Sequence, residues 1–539
     1  MESSGTGAEA ALASIGHHAA AQQAEAGKWV VAGSVLLGSF VSVMDSTIVN
    51  VSMPHMMGSF GTDLLNITWV STAYSIAQII MIAMAAWWST MLGRKRLYLF
   101  SMAMFLAGSV LAGLSQTLAQ MIVFRVIQGI GGGSLMPVSQ AIVREKFPPE
   151  EQAIAMSLYA MGVILAPAIG PVIGGLIVDS MGWPWVFYIN VPFCIVGIMM
   201  VSSFVHDPSY LKRGLRKIDW GGLALLAVGI VSLQIILERG EKLDWFASNW
   251  IVAGTILAAV SLAALVIWEM RVEEPIANFR LFSNRPLAVG AIYISIISFG
   301  LFGSTFILPQ YTETLLGYSA YQTGLVMVPR SIAMFLMMPL SGLIYNYCDT
   351  RIQVSAALTA MFVSFWMMSH FALNVGYSDF LACTTLMGIG IANSNVVMST
   401  MSLSTIPRPQ MTQASSLFTL SQRVSGNLAY AVLATMLARN TQTRRSYLIH
   451  NVSFLKNPYL KMHAGLTARL LQRAQSGMTP RVSVDAAQHQ ATVVINHMVN
   501  AHATMLAYND IYWFLLKMLV VALVVLWFAP KNAFPKPVK

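Results

Sequence analysis

One carboxylate interrupts a largely apolar stretch near the start of the chain: Asp45, in GSFVSVMDSTIVNV. An ionisable group held away from water costs several kcal/mol unless it is partnered, so its presence calls for a reason. Ser39, Ser42, Asp45, Ser46 and Asn50 recur at spacings of three and four. Such residues share one face of a helix, and that face must meet water or protein. Two readings fit the spacing. The carboxyl exchanges protons, since burial moves a carboxyl toward the working pH, or it is a structural acid satisfied by neighbouring helices. Arg125 opens a second stripe with Gln128, Gly132, Met136 and Ser139. It is an electrostatic neighbour either for Asp45 or for a ligand.

Arg330 and Arg423 also fall inside apolar runs, whereas Lys517 lies where its side chain can snorkel to the membrane surface. Three deep arginines against one deep acid suit an anionic ligand, although hydrogen bonding between helices accounts for Arg330 and Arg423 equally simply. Another motif, APAIGPVIGG, spaces Gly170 and Gly174, and likewise Pro167 and Pro171, four apart. Small residues admit a neighbouring backbone, and a proline inside a helix permits a bend. A moving hinge and a fixed kink both satisfy that pattern.

Constellations for bond-breaking chemistry are missing from the sequence. Five of its ten histidines, at His450, His463, His489, His497 and His502, lie in one polar stretch without accompanying acids or cysteines, and read as solvated surface. The GIGGG of residues 129–133 lacks the strand before it and the Lys-Ser/Thr after it that a phosphate loop needs. The expectation is therefore a protein that is not an enzyme, with no cofactor and no metal site.

The elements that must carry these residues are membrane helices. Only 10% of the 539 residues are charged and 56% are hydrophobic, against about 25% charged in soluble domains. Apolar runs of about 20 residues, enough to cross the hydrocarbon, occur near 29–50, 68–88, 97–116, 119–142, 153–178 and 184–205. Two more lie near 219–237 and 249–268, and six near 287–309, 322–345, 352–372, 380–404, 412–437 and 511–529. The reading is an all-α integral membrane protein with two six-helix bundles plus two extra helices, fourteen spans in all.

The implied divisions are a disordered tail (1–28), an N-terminal bundle (29–205), two linker helices with their loops (206–286) and five helices of the second bundle (287–437). A long, partly helical outer loop (438–509) and the last span with its tail (510–539) complete the chain. Lys28, Arg94, Lys95, Arg96, Arg144, Lys146, Lys212, Arg213, Arg216, Lys217, Arg271, Arg280, Arg285, Arg351 and Arg408 fall on one side, and of the short loops opposite only that with Arg239 and Lys242 is basic. The positive-inside rule places both termini in the cytoplasm. That asymmetry explains much of the net charge of +10 without nucleic acid. The loop 438–509 is a candidate docking element.

Several of these segments together resemble the major facilitator superfamily, in particular its fourteen-helix drug:proton antiporter branch of the EmrB/QacA type. MDSTIVNVSMP (44–54) looks like that branch's first-helix motif, which puts its acid on Asp45. FRVIQGIGGG (124–133) looks like the fourth-helix motif, with Arg125, Gln128 and Gly129 in the motif positions, and APAIGPVIGG (166–175) like the antiporter motif of the fifth. That resemblance assigns conformational roles to Pro167, Gly170, Pro171, Gly174 and Gly175. PVSQAIVREKFPP, YINVP and ERGEKLDWF lie nearest the EmrB side of the branch.

The resemblance implies proton-coupled multidrug efflux with Asp45 and Arg125 in proton coupling, and Asn50, Gln128, Met136, Arg330 and Arg423 around a cavity for hydrophobic drugs. It further implies a periplasmic adaptor and an outer-membrane channel as partners, in the inner membrane of a Gram-negative cell. Export of one amphipathic anion such as a fatty acid, or a sensor without transport, are the alternatives. The motif after the second helix is altered: Ala86 and Thr90 replace its glycine and acid, and only Gly93, Arg94 and Lys95 keep the pattern.

Overall fold

The computed structural model describes residues 5–207, 219–273, 275–451, 457–475 and 483–529. Fourteen long helices occupy the positions of the fourteen apolar runs. They are α1 (Gly5–Phe60), α2 (Trp69–Leu92), α3 (Arg94–Gly113), α4 (Leu118–Lys146), α5 (Gln152–Met181), α6 (Trp185–Phe204) and α7 (Trp220–Arg239). Then come α8 (Asn249–Glu269), α9 (Arg285–Leu315), α10 (Ala320–Tyr345), α11 (Thr350–Met368), α12 (Tyr377–Ser404), α13 (Met411–Asn451) and α14 (Val484–Trp527). Twelve of them contain a segment long and apolar enough to cross a membrane; of the other two, α5 holds a shorter apolar segment, Gln152–Pro167, among the described residues, and α13 is more polar. One difference from the sequence reading concerns the first 28 residues. Helix α1 begins at Gly5, so most of the expected disordered tail is helical backbone, consistent with the high helix propensity of its alanines, glutamines and glutamates.

The two halves repeat one packing plan. In the first, α1 packs on α4, α5 and α6, α2 and α3 pack on α4, and α3 packs on α6. In the second, α9 packs on α12, α13 and α14, α10 and α11 pack on α12, and α11 packs on α14. The bundles meet along two seams, α2 with α13 and α5 with α10, which the same correspondence exchanges. Glycines fix the register. A Cβ on Gly129 of α4 would lie 2.5 Å from the carbonyl oxygen of Tyr74, and one on Gly131 would strike the Phe105 backbone of α3. In α12, Gly388 and Gly390 stand in the same way against Arg330 of α10 and Ala357 of α11. With no hydrophobic drive between helices in lipid, such close backbone approach supplies much of the association energy.

Helices α7 and α8 form a hairpin laid over the α2–α13 seam. Leu226, Ile230 and Leu265 pack with Ile79 and Ala83 of α2 and with Leu420 of α13. Polar contacts reach both bundles from this hairpin. Glu238 accepts from the Thr72 hydroxyl, Asn427 donates to Gln234 (2.9 Å), and the Trp245 indole donates to Thr435 (2.9 Å).

Where Arg94, Arg144 and Arg408 gather, here called the basic end, the bundles are shut against each other. Arg94 donates to Thr412 Oγ1 (3.1 Å) and to the Arg408 carbonyl (2.9 Å), and pairs with Glu145. Ser89 reaches Thr412 (3.4 Å), Arg144 reaches the Thr400 carbonyl, and Asn346 reaches the Glu150 carbonyl (3.1 Å). Every direct hydrogen bond between the bundles among the described residues lies at this end. At the opposite end α13 runs on to Asn451, the short helix Asn457–Gln475 follows, and α14 starts at Val484. Leu448, Leu466, Ile495 and Val499 pack this projection, and Arg444 clasps Asp510 through two hydrogen bonds of 2.6 and 2.9 Å.

Replacing Gly131 by leucine forces a side chain into the α3 backbone, and overpacking of this kind costs about 1–3 kcal/mol. Gly175 has nothing within 4 Å of a Cβ position. Thermal unfolding of purified protein should therefore show a clear drop for Gly131→Leu and little change for Gly175→Ala.

Candidate functional site

Asp45 on α1 and Arg125 on α4 are both fully buried and form an ion pair at 2.5 Å. Two amides complete the carboxylate's shell: Gln128 Nε2 donates to one oxygen at 2.8 Å, and Asn190 Nδ2 of α6 donates to the same oxygen at 3.0 Å. Ser109 of α3 accepts from both amides, at 2.7 and 3.3 Å. Arg125 donates further to Gln128 Oε1 (2.6 Å) and, through Nε, to the Val70 carbonyl (3.0 Å). The network thus ties α1, α2, α3, α4 and α6 together inside the N-terminal bundle. Two buried atoms stay unsatisfied, Arg125 Nη2 and Asn190 Oδ1.

The serine stripe of α1 divides. Ser39 and Ser42 are buried against α4, where Ser39 meets Ser139 at 3.1 Å and Ser42 donates to the Gly132 carbonyl at 3.2 Å. Ser46 bonds back to its own helix, and Asn50 is exposed and accepts from Ser71 (3.2 Å). The face that carries Asp45 therefore meets protein. Its route toward the seam between the bundles runs through Tyr74. The Arg125 guanidinium sits 4.2 Å from the Tyr74 ring centre, a cation–π distance. The Tyr74 hydroxyl bonds Ser42 and accepts from Gln78 (3.1 Å).

Arg423 of α13 lies among Tyr74 and Tyr159 of the first bundle and Tyr430 of its own helix. Arg330 of α10 lies near the same Tyr430 and donates to Thr305 (3.1 Å). Among the described residues, neither arginine is paired with a carboxylate. Arg125 is thus neutralised by Asp45, while Arg330 and Arg423 are not neutralised. Met136 is half-buried on α4, one helical turn from Gln140.

In the fifth-helix motif, Cβ atoms on Gly170 and Gly174 would press on Thr47 and Ile48 of α1, immediately beyond Asp45. Pro167 lies within α5, Gly175 faces open space, and the Pro171 side chain is outside the described set. Gly93 turns the chain between α2 and α3 at φ 84°, and Lys95 donates to Asp207 and to the Ser202 carbonyl. Thr90 bonds only to its own helix, at Trp87, so the contacts to α13 come from Ser89 and Arg94.

Sequence reasoning missed Asn190, Ser109 and Tyr74, because a search for ionisable groups passes over neutral ones. Asn190 did leave a signal, as the polar residue in YINVP. The reading that Asp45 is the one deeply placed carboxylate is corrected by Glu269. This residue is 1% exposed at the end of α8, where the backbone N–H groups of Ile276 and Ala277 approach its carboxylate, and its place at the margin of an apolar run made it look like a loop residue.

Residues 35–430 match the family described as Major Facilitator Superfamily. The chain is 32% identical to the multidrug export protein EmrB of Escherichia coli strain K12, over 92% of this chain and 93% of the relative. It is 29% identical to the fatty acid resistance protein FarB of Neisseria gonorrhoeae, over 93% and 96%. In structure it resembles the proton:xylose symporter XylE, with a TM-score of 0.60 at 13% identity, covering 94% of this chain and 97% of the other.

Removing one member of a buried ion pair strands the other, at a cost of about 3–5 kcal/mol. Asp45→Ala should lower the unfolding temperature sharply. Combining it with Arg125→Met should recover part of the loss, and a double variant no more stable than the single one would contradict the pairing.

Proposed function

The chain belongs to the Major Facilitator Superfamily, and from that premise we propose that it is a proton-coupled exporter of hydrophobic and amphipathic compounds. The observation that carries the proposal is the sealed Asp45–Arg125 pair, one cation–π contact away from the seam where Arg423 stands without a counter-ion. Protonation of Asp45 removes its charge and releases Arg125, whose freed guanidinium bears on Tyr74 and thus on the seam. A bound compound bears on Tyr74 from the other side. Proton and cargo then compete through one side chain, which is what antiport requires.

In this reading the two bundles rock about a site near the bilayer midplane, lined by Met136, Arg330 and Arg423 and opening past Asn50. The basic end is cytoplasmic, following the loop charges, and the membrane is a Gram-negative inner membrane. Close packing of Gly170 and Gly174 on α1 couples movement of α5 to the helix that carries Asp45. The projection built from α13, Asn457–Gln475 and α14 is then periplasmic and is the place for an adaptor protein leading to an outer-membrane channel. The similarity to EmrB supports a broad substrate range. A second reading, export of one amphipathic anion, draws on the two unneutralised arginines and on the similarity to FarB.

Two measurements test these readings. In proteoliposomes with an imposed pH gradient, Asp45→Asn should abolish gradient-driven transport while leaving substrate binding within a few-fold, and full proton-driven transport by this variant would refute the assignment. Arg330→Gln with Arg423→Gln should weaken binding of dodecanoate at least about tenfold, near 1.4 kcal/mol, with little effect on a cationic dye. Equal losses for both probes would remove the case for anions.

A further inference from the structure

Helix α4 ends at the basic end with Arg144, which is 2% exposed. Its Nη2 donates to the Thr400 carbonyl, while Nε and Nη1 have no partner among the described residues. One turn earlier on the same face, Gln140 is 5% exposed and its Oε1 is also unpartnered. The surface against which this end of α4 packs is no better satisfied. Ala141 lies with Leu403 of α12 and Ala414 of α13 in one apolar cluster, and beside that cluster the buried hydroxyls of Thr400, Ser415, Ser416 and Thr419 all lack partners.

Buried polar atoms are nearly always hydrogen-bonded, and each orphan calls for an explanation. Here they are concentrated where the two bundles close on each other. They also form tracks. Thr412, Ser416, Thr419 and Arg423 follow one another at spacings of four, three and four, which keeps them on one face of α13. Met136, Gln140 and Arg144 do the same on α4. The α13 track starts at the Arg94 latch and ends at the arginine near the midplane.

We infer that these facing tracks are the walls of a loading vestibule that opens when the basic end parts, and that Arg144 is its anion-binding residue, engaging the acidic head of an amphipathic anion before the head passes to Arg423. The proposal rests on the exporter reading and its orientation. Closure leaves Nε and Nη1 of Arg144 and the neighbouring hydroxyls dry and unpartnered. Opening gives them water, and a carboxylate or similar head group can accept a charge-assisted hydrogen bond from a free guanidinium nitrogen. The anionic group could belong to a free amphipath or to a membrane lipid, so the test separates the two.

The test uses the full chain with Cys348→Ser, since Cys194 and Cys383 are buried, and with Ser416→Cys as reporter. The protein is reconstituted in phosphatidylcholine vesicles, and maleimide labelling from the basic end is timed with and without dodecanoate. Dodecanoate should slow labelling at least about fivefold while dodecanol does not. Arg144→Gln should abolish this protection and Arg144→Lys should restore part of it. Equal protection by dodecanol, protection that survives Arg144→Gln, or no labelling under any condition would each overturn the proposal. So would protection by phosphatidylglycerol vesicles alone, which would make the residue a lipid site. Failure of the exporter reading is seen separately, as wild-type vesicles that move no compound under a pH gradient while the protection pattern stands.

Discussion

A guanidinium removed from water must be surrounded by acceptors, and around Arg125 that requirement organises half of the molecule. Its ligands come from α1, α2 and α4, and the carboxylate it holds is shared with amides from α4 and α6. Five helices must therefore arrive in register before the charge is compensated. The glycines that follow Arg125 along α4 make this possible, because α2 and α3 can approach only where α4 has no side chains. Charge and close packing depend on each other here: loosening the glycine contact would move Val70 and Tyr74 away from the guanidinium.

The second bundle repeats the scaffold without the charge. Aligning Gly388 and Gly390 with Gly129 and Gly131 places Thr384 and Met387 where Arg125 and Gln128 stand. Both are buried, and Thr384 bonds only to its own helix, at Phe380. Met361, Phe365 and Met387 fill the core of the second bundle there, and its buried polar pairs, such as Gln353 with Asn393, are uncharged. Of its buried cations, Arg423 sits toward the other bundle, beside Tyr74 and Tyr159, and Arg330 lies among Thr305, Tyr430 and Tyr512 of its own bundle. The first bundle thus holds one charge pair inside and compensated, Asp45 with Arg125, while Arg330 and Arg423 of the second are paired with no carboxylate among the described residues.

Much of this was legible in the sequence. Run lengths specify the fourteen helices, because lipid allows few other ways to satisfy a backbone. Asp45 and Arg125 stood out as ionisable residues in apolar surroundings, and they do meet. The partners that complete their shell were invisible for a physical reason. Asn190 and Ser109 carry no charge and their residue types occur widely in apolar runs, so only the three-dimensional meeting of α3, α4 and α6 distinguishes them. The orientation of the α1 stripe was also beyond reach, since spacing tells which residues share a face and not what that face touches. Thr90 shows the converse: the missing acid was evident, whereas the contacts that Ser89 and Arg94 make to α13 needed coordinates.

The α7–α8 hairpin makes the protein lopsided toward the bilayer. It roofs the α2–α13 seam and is tied to both sides of it, whereas the α5–α10 seam carries no such cover among the described residues. Lipid tails can thus press against only one of the two joints. A long-chain molecule held between the bundles could trail its hydrocarbon sideways into the membrane on that side alone, which gives the interior a single flank for exchange with the surrounding oil.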